Sequence, residues 1–206
     1  MGDNQAGTPP DWLFDWVDLA PEGRALDVGA GQGDLAAWLQ RRGFQVDAVE
    51  SSAEACRRLR QRAASIGFVV HEQDLARWTP PPSAYGLVLA AAVLHFIHPA
   101  QLAAVGNGLS QALVPSGLLM AEVLTTDDPS FDERRAAGEV EVAPATFELE
   151  DGSPIHYFLP GELRRLFPEL DMLAYDESRR TASNQAGYRA GATFIGRRLA
   201  DVQLAP

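Results

Sequence analysis

Three glycines and one acid in the first quarter of the chain are the residues best suited to ligand chemistry. Gly29, Gly31 and Gly33 stand between a short apolar segment and an amphipathic one. Between a strand and a helix, residues without a Cβ let backbone N–H groups approach a ligand, although tight turns also use glycine for steric reasons alone. Glu50 ends the next apolar segment, 21 residues after Gly29, where a carboxylate can accept the hydroxyl hydrogens of a ribose. Together these residues predict a nucleoside cofactor.

The spacing of the glycines distinguishes between classes of nucleoside cofactor. The dinucleotide fingerprint G-x-G-x-x-G needs its third glycine at position 34, where Asp34 stands. Asp27 would also place a negative charge near a pyrophosphate, whereas it suits a ligand with an amine and a sulfonium. A NAD-dependent oxidoreductase is therefore the less favoured alternative.

Residues 27–33, DVGAGQG, resemble the first motif of the class I S-adenosylmethionine-dependent methyltransferases, an acid followed by three alternating glycines. The resemblance implies that this turn holds the methionine end of the cofactor and that Glu50 binds the ribose. It also places an acid near the adenine and small residues along the methionine. The predicted cofactor residues are Asp27, Gly29, Ala30, Gly31, Gly33, Glu50, Ser51, Asp74, Leu75, Ala90 and Ala91. As alternatives, Asp74 is a turn or cap residue, and the two alanines at the end of the fourth strand are core packing.

Two further segments resemble a subfamily. Residues 92–102 and 160–177 are similar to segments of the tellurite-resistance methyltransferases and their small-molecule relatives. That resemblance implies methyl transfer to a small-molecule acceptor. A methyltransferase fold that has lost catalysis and only binds the cofactor, as a regulatory module, stays open as the second reading.

The acceptor side of the prediction rests on histidine, aromatic and arginine residues. A general base is needed if the acceptor loses a proton, and His95 and His156 are the candidates. The predicted acceptor contacts are Trp12, Trp16, Tyr157 and Arg189. The competing interpretations are a loop histidine at 95, tryptophans that only pack, and a solvated arginine. His95 and His98 are too small a set for a metal site, so none is expected.

The elements that must position these residues alternate between strands and helices. Such alternation indicates a parallel sheet with right-handed crossovers, a doubly wound, Rossmann-like α/β fold. The resemblance implies seven strands, of which the last is antiparallel. We expect a single domain over 1–206, an N-terminal helix at 11–19, and an insertion or lid at about 125–158, where acidic pairs, glycine and proline break the alternation. The strands are predicted at 24–28, 44–49, 68–71, 87–92, 118–124, 172–175 and 192–199.

The composition and net charge of the chain argue against two classes of binding partner, nucleic acids and membranes. A net charge of −11 and a pI near 4.7 oppose a broad phosphate-binding surface, so we expect no nucleic-acid partner. No apolar run of about 18 residues is present, so no membrane partner is expected. The N-terminus lacks the pattern of an export signal, which predicts a cytoplasmic protein. The oligomeric state is left open.

Overall fold

The computed structural model describes residues 9–183 and 187–200. Its centre is a sheet of seven strands, β1 (Arg24–Val28), β2 (Gln45–Glu50), β3 (Val69–Glu72), β4 (Tyr85–Ala91), β5 (Leu113–Leu124), β8 (Leu170–Ser183) and β9 (Gly187–Arg198). Across the sheet, the strands follow the order β3-β2-β1-β4-β5-β9-β8.

Strands β1 to β5 run parallel, and the last strand, β9, is antiparallel to both of its neighbours, β5 and β8. The predicted seven-stranded, mostly parallel sheet with an antiparallel last strand is therefore confirmed. Strand β1 pairs with β2 on one side and with β4 on the other. This reversal of strand order opens a crevice at the carboxyl ends of β1 and β4, where ligands bind in such sheets.

Helices cover both faces of the sheet. Leu39 and Leu59 pack on one face beneath the second and third helices, and Leu102 and Leu109 pack on the other beneath the fourth. Leu102 and Leu109 lie two helical turns apart on the buried side of one helix, the spacing that is typical of an amphipathic helix. The helices are α1 (Asp11–Phe14), α2 (Asp34–Arg41), α3 (Ala53–Ile66), α4 (Pro99–Ala112), α5 (Pro129–Ala136) and α6 (Glu162–Arg165).

Several elements have other bounds than the sequence predicted, among them β8, which covers Leu170–Ser183 rather than 172–175. The expected helix at 11–19 consists of α1 and a separate 3-10 turn, Val17–Leu19, because the backbone of Trp16 leaves the helical region at φ −122°. Strand β5 begins at Leu113, before the start of the strand predicted at 118–124, and the pairing of β4 with β5 shifts register between Tyr85 and Leu87.

The segment expected as an insertion contains regular structure of its own. Helix α5 is followed by a small antiparallel sheet of β6 (Thr146–Glu148) and β7 (Pro154–His156). Phe131, Phe147 and Tyr157 form a separate buried aromatic cluster there. A polar composition and three-residue strands give no periodicity, so the sequence did not predict these elements.

A search of the described ranges for membrane spans finds no helix with the length and apolar character to cross a bilayer.

Candidate cofactor and acceptor sites

The glycine turn follows β1 and precedes α2, as predicted. Gly29, Gly31 and Gly33 all have positive φ, at 70°, 54° and 79°, a region that residues with a Cβ rarely adopt. A Cβ on Gly29 would lie 2.4 Å from Val93 Cγ2, whereas a Cβ on Gly31 would meet nothing closer than the Gly29 carbonyl oxygen at 3.9 Å. Gly29 is therefore fixed by packing, and Gly31 faces open space.

Glu50 ties this turn to the end of β2. Its carboxylate accepts a hydrogen bond from the Gly31 N–H at 3.0 Å and from the N–H groups of Ser51 and Ser52, both at 2.9 Å. Three backbone donors hold the side chain at the mouth of the crevice, with the Gly31 turn beside it. The position is the one predicted for a ribose-binding acid.

A cavity of about 930 Å³ extends from this turn along the ends of β1, β2 and β4. Gly29, Gly31, Glu50 and Ser51 line it at one end. We call it the cofactor cleft. The rest of its lining is Val49, Gln73, Asp74, Leu75, Ala76, Arg77, Ala92, Val93, Phe96, Ile97, His98, Gln101, Val142, Glu148, Leu149, Asp151, Gly152, Ser153 and Pro154.

Several predicted cofactor residues lie beside the cleft rather than on its wall. Ala90 is fully buried in the core, and Ala91 packs toward the opposite face of the sheet. The chain turns after β4, so Ala92 and Val93 line the cleft in their place. Asp27, Ala30 and Gly33 also stand outside the lining.

Asp74 has both of the roles considered for it, as a turn residue and as a residue of the cleft. Its Oδ1 accepts the Ala76 N–H at 2.9 Å and its Oδ2 lies 3.5 Å from Arg77 Nε. The side chain therefore caps a turn, and the residue also lines the cleft next to Leu75.

Asp27 is an acid enclosed beneath the glycine turn. It is 2% exposed, and no partner in the described part of the chain reaches its Oδ2. Burial, with a smaller contribution from the charge of Glu50, raises the pKa of Asp27 to about 7, although the hydrogen bond from the Ala36 backbone N–H acts to lower it. A buried carboxyl with an unmet oxygen beside the cleft suits a cationic ligand.

We expect Asp27→Asn to change how stability depends on pH. The folded pKa of about 7 lies above the ordinary value of 3.8, so the stability linked to this group is full below pH 4 and is lost as the pH rises through 7. Without ligand, the free energy of unfolding of the variant should exceed that of the native chain by up to about 4 kcal/mol at pH 8. At pH 4 the two free energies should be equal. Urea unfolding of both proteins at the two pH values measures this difference. An equal difference at both would contradict it.

Replacement of Glu50 by Gln should weaken cofactor binding by about 1–3 kcal/mol, because a charged acceptor is lost from the cleft. Glu72→Gln is the matched control, since Glu72 ends the neighbouring strand and pairs with Arg60 outside the cleft. Calorimetric titration with S-adenosylmethionine compares the two. Equal affinities in both variants would remove Glu50 from the ribose site.

A second cavity, of about 680 Å³, adjoins the cofactor cleft and shares Ala92 and Phe96 with it. We call it the acceptor pocket. Its remaining lining is His95, Leu124, Ser130, Glu133, Arg134, Ala137, Glu139, Ile155, Tyr157 and Arg189.

His95 lies in a 3-10 turn after β4, on the wall of the acceptor pocket. It is 4% exposed, and its Nδ1 has no hydrogen-bond partner among the residues described. Burial lowers the pKa of His95 to about 4, and the positive charge of Arg189 contributes. The imidazole is therefore neutral near pH 7 and can accept a proton.

The structure gives His156 a different role. Its Nδ1 lies 2.9 Å from Thr146 Oγ1 and its Nε2 lies 3.1 Å from Glu162 Oε1. Both ring nitrogens are engaged, and the residue lines neither cavity. His156 therefore links β7 to β6 and α6, and is not placed for proton transfer.

The two tryptophans also lie away from the pocket. Trp12 and Trp16 pack with Leu13 and Leu39 on the opposite face of the sheet, and neither lines the cleft or the pocket. The structure supports the packing interpretation, which helical spacing of aromatic residues more often indicates.

Tyr157 and Arg189 do line the acceptor pocket. The Tyr157 hydroxyl lies 2.8 Å from Ser130 Oγ and accepts a hydrogen bond from Arg134 Nε at 3.1 Å. Arg189 donates from Nη1 to Asp128 and Ser130 at 3.1 and 3.2 Å. Both predicted residues therefore belong to one polar network on the pocket wall.

Sequence reasoning missed the residues that close the two cavities. The β6–β7 hairpin contributes Glu148 and Asp151 to the cofactor cleft, and α5 contributes Ser130 and Arg134 to the acceptor pocket. Phe96, 43% exposed, lies where the cavities meet. The only feature of the sequence that points to Phe96 as a site residue is that it directly follows His95.

Comparison with known proteins shows which proteins share this fold. Residues 25–117 match the model of a methyltransferase domain. An S-adenosylmethionine-dependent methyltransferase from Methanosarcina mazei superposes with a TM-score of 0.78 at 15% identity, covering 94% of this chain and 99% of that one. TehB from Haemophilus influenzae superposes with a TM-score of 0.68 at 16% identity, covering 95% and 64%.

A curated relative corrects one prediction. A tRNA1(Val) (adenine(37)-N6)-methyltransferase from Salmonella arizonae is 36% identical over 83 residues, which is 37% of this chain and 34% of the relative. The match thus spans about a third of that protein's length. The expectation of a small-molecule acceptor with nucleic acid excluded is contradicted, because this relative acts on tRNA. Net charge describes the whole surface, so it could not exclude a local contact.

Several features of the cleft suit a nucleoside ligand that carries a positive charge. Gly31 leaves its wall open, Glu50 lines one end of it, and the unmet oxygen of Asp27 lies under the turn. The residues that match the methyltransferase domain, 25–117, are fewer than half of the 206 in the chain, and the sheet order and glycine turn give the chain the fold of the class I S-adenosylmethionine-dependent methyltransferases.

Proposed function

We propose that the chain transfers the methyl group of S-adenosylmethionine to a nitrogen or oxygen atom that gives up a proton, held in the acceptor pocket. The observation that carries the proposal is the meeting of the two cavities at Ala92 and Phe96, with the buried ring of His95 on the acceptor side. A methyl group presented there reaches an acceptor atom beside the imidazole.

The chemistry requires little beyond positioning. The sulfonium supplies an electrophilic methyl group, and the reaction is an in-line displacement. Holding donor and acceptor in contact supplies most of the rate enhancement. Neutral His95 takes the proton that the acceptor releases, as a general base. Phe96, whose ring centroid lies 4.4 Å from that of His95, gives the acceptor an apolar surface to lie against.

An adenine base in RNA is the acceptor that the curated relatives favour. Their names state methylation at N6 of adenine, an amine that must lose a proton. With a net charge of −11, we expect RNA contact to be confined to the rim of the pocket. Arg134 and Arg189 line the pocket. A long phosphate track would need many more positive side chains.

The test is a methyl-transfer assay with isotopically labelled S-adenosylmethionine and the purified chain. Unmodified tRNA, adenosine oligonucleotides and free amine or hydroxyl acceptors are assayed in parallel, and products are located by mass spectrometry. The proposal expects a methylated nitrogen or oxygen with at least one acceptor, and loss of product in His95→Gln. If cofactor binds normally and no acceptor is methylated, the chain is a cofactor-binding module without catalysis. Label on the RNA would establish the adenine acceptor.

A further inference from the structure

Polar side chains on the wall of the acceptor pocket form a chain of hydrogen bonds that ends on a buried carboxylate. Ser130 Oγ lies 2.5 Å from Oδ1 of Asp128, which is 1% exposed. A carboxylate only accepts hydrogen bonds, so Ser130 uses its hydrogen there. Tyr157 must then donate its own hydrogen to Ser130 Oγ, 2.8 Å away, while its oxygen accepts from Arg134 Nε at 3.1 Å. Neither hydroxyl keeps a hydrogen for a ligand.

The two arginines of the pocket do keep donors. Arg189 donates through Nη1, to Asp128 at 3.1 Å and to Ser130 at 3.2 Å. Arg134 donates through Nε and through Nη1, the second to Glu139 at 2.6 Å. These are the hydrogen bonds that the two guanidinium groups make among the side chains that the structure describes. Nη2 of both residues and Nε of Arg189 therefore remain able to donate to a ligand.

The wall offers these donors without a net positive charge. Arg189 is paired with Asp128, and Arg134 is paired with Glu139. Glu133, which is exposed, adds another carboxylate to the lining. A carboxylate or phosphate on the acceptor would be repelled by these negative charges. An uncharged nitrogen or oxygen atom with a lone pair accepts the same hydrogen bonds without that repulsion.

The rest of the pocket suits a flat and largely apolar body. Its volume of about 680 Å³ lies within the range of small-molecule sites. Apolar side chains line it, and the ring of Phe96 is 43% exposed where the pocket meets the cofactor cleft. An exposed aromatic ring can stack against a planar ligand. The other apolar lining residues are Ala92, Leu124, Ala137 and Ile155.

We propose that Arg189, together with Arg134, determines acceptor specificity by donating hydrogen bonds to a lone pair at the edge of an uncharged heteroaromatic ring, either a ring nitrogen or a carbonyl oxygen. The proposal rests on the proposed function, which places the acceptor in this pocket. It gives the arginines the edge of the ring rather than a phosphate group. The same ring can belong to a free nucleoside or to RNA.

The experiment measures the binding of rings to the full chain by calorimetry. The chain is saturated with S-adenosylhomocysteine, which fills the cofactor cleft, so that the probes report on the acceptor pocket. The probes are adenosine, cytidine, benzoate as a flat anion, and analogues of adenosine in which one ring nitrogen is replaced by C–H. We expect the nucleosides to bind more tightly than benzoate, and one of the analogues to bind about 10-fold or more weakly than adenosine.

Variants test whether the arginines cause this preference. In Arg189→Gln, the difference between adenosine and that analogue should shrink to about 3-fold or less, because the donor that recognises the ring nitrogen is lost. This variant leaves buried Asp128 without its ion-pair partner, so Arg134→Gln, whose partner Glu139 is more exposed, is the second variant. Arg197→Gln is the control, since Arg197 also lies on β9 but lines neither cavity. It should keep the native preference.

The outcomes separate this inference from the proposed function. Equal binding of adenosine and all its analogues would overturn the inference, and so would native preference in both Arg189→Gln and Arg134→Gln. Tighter binding of benzoate than of both nucleosides, or no binding of either nucleoside, would also overturn it. If the rings bind as expected but none is methylated, the recognition by arginine stands and the proposed function fails. An adenosine oligonucleotide that binds more tightly than adenosine would identify RNA as the source of the ring, and the reverse would identify a free nucleoside.

Discussion

Replacing His95 by Gln is expected to lower kcat by about 10²–10⁴-fold, the usual contribution of a positioned general base. Glutamine fills a similar volume but cannot take a proton. The ring lies on the wall of the acceptor pocket, outside the lining of the cofactor cleft. Affinity for S-adenosylmethionine should therefore stay close to that of the native chain.

Turnover with the best acceptor and calorimetric cofactor affinity are measured on the same preparations. His156→Gln is the matched control, because that ring is equally buried but bonded to Thr146 and Glu162. It should lower the melting temperature and leave kcat nearly unchanged in the folded fraction. A larger loss of kcat in His156→Gln than in His95→Gln would reverse the assignment.

Gly31→Val should reduce cofactor affinity on the order of 100-fold or more, a loss of about 2.7 kcal/mol. A Cβ at this position meets no protein atom closer than 3.9 Å, so the branched side chain projects into the cleft. A β-branched residue at φ 54° also strains the backbone, which lowers the stability of the fold by on the order of 1–3 kcal/mol. It should fold, with a lowered melting temperature, and bind weakly.

Two neighbours serve as controls for the valine. Gly31→Ala carries most of the backbone strain with less bulk, so it should bind better than Gly31→Val at similar stability. Gly29→Ala should mainly destabilise the fold, since its Cβ would lie 2.4 Å from Val93 Cγ2. Titration calorimetry and thermal unfolding separate the two effects. Native affinity in Gly31→Val would remove the turn from the binding surface.

The cofactor half of the site was predictable because its signals are local. Gly29, Gly31 and Glu50 belong to one strand-turn-helix-strand unit, in which sequence spacing fixes spatial position. Ala90 and Ala91 were predicted to line the cleft, but they do not, because the exact end of β4 decides which residues face it. Strand ends are set by pairing with neighbouring strands rather than by local pattern.

The acceptor half was not predictable in the same way. Arg189, Asp128 and Tyr157 meet through long-range packing of β9, α5 and the end of β7, and no single periodicity describes that assembly. His95 and His156 are indistinguishable in sequence as candidate bases. Only their surroundings in the folded protein distinguish them. The ring of His156 is bonded to Thr146 and Glu162, whereas the ring of His95 faces an open cavity.

The most direct test of this account is a calorimetric titration of the chain with S-adenosylmethionine, S-adenosylhomocysteine and NAD in parallel. The glycine turn, Glu50 and the cleft predict that the first two bind with micromolar affinity and that NAD does not bind. They also predict that Glu50→Gln binds S-adenosylmethionine more weakly than the native chain. Binding of NAD alone, or equal binding by Glu50→Gln, would contradict the assignment of this cleft to S-adenosylmethionine.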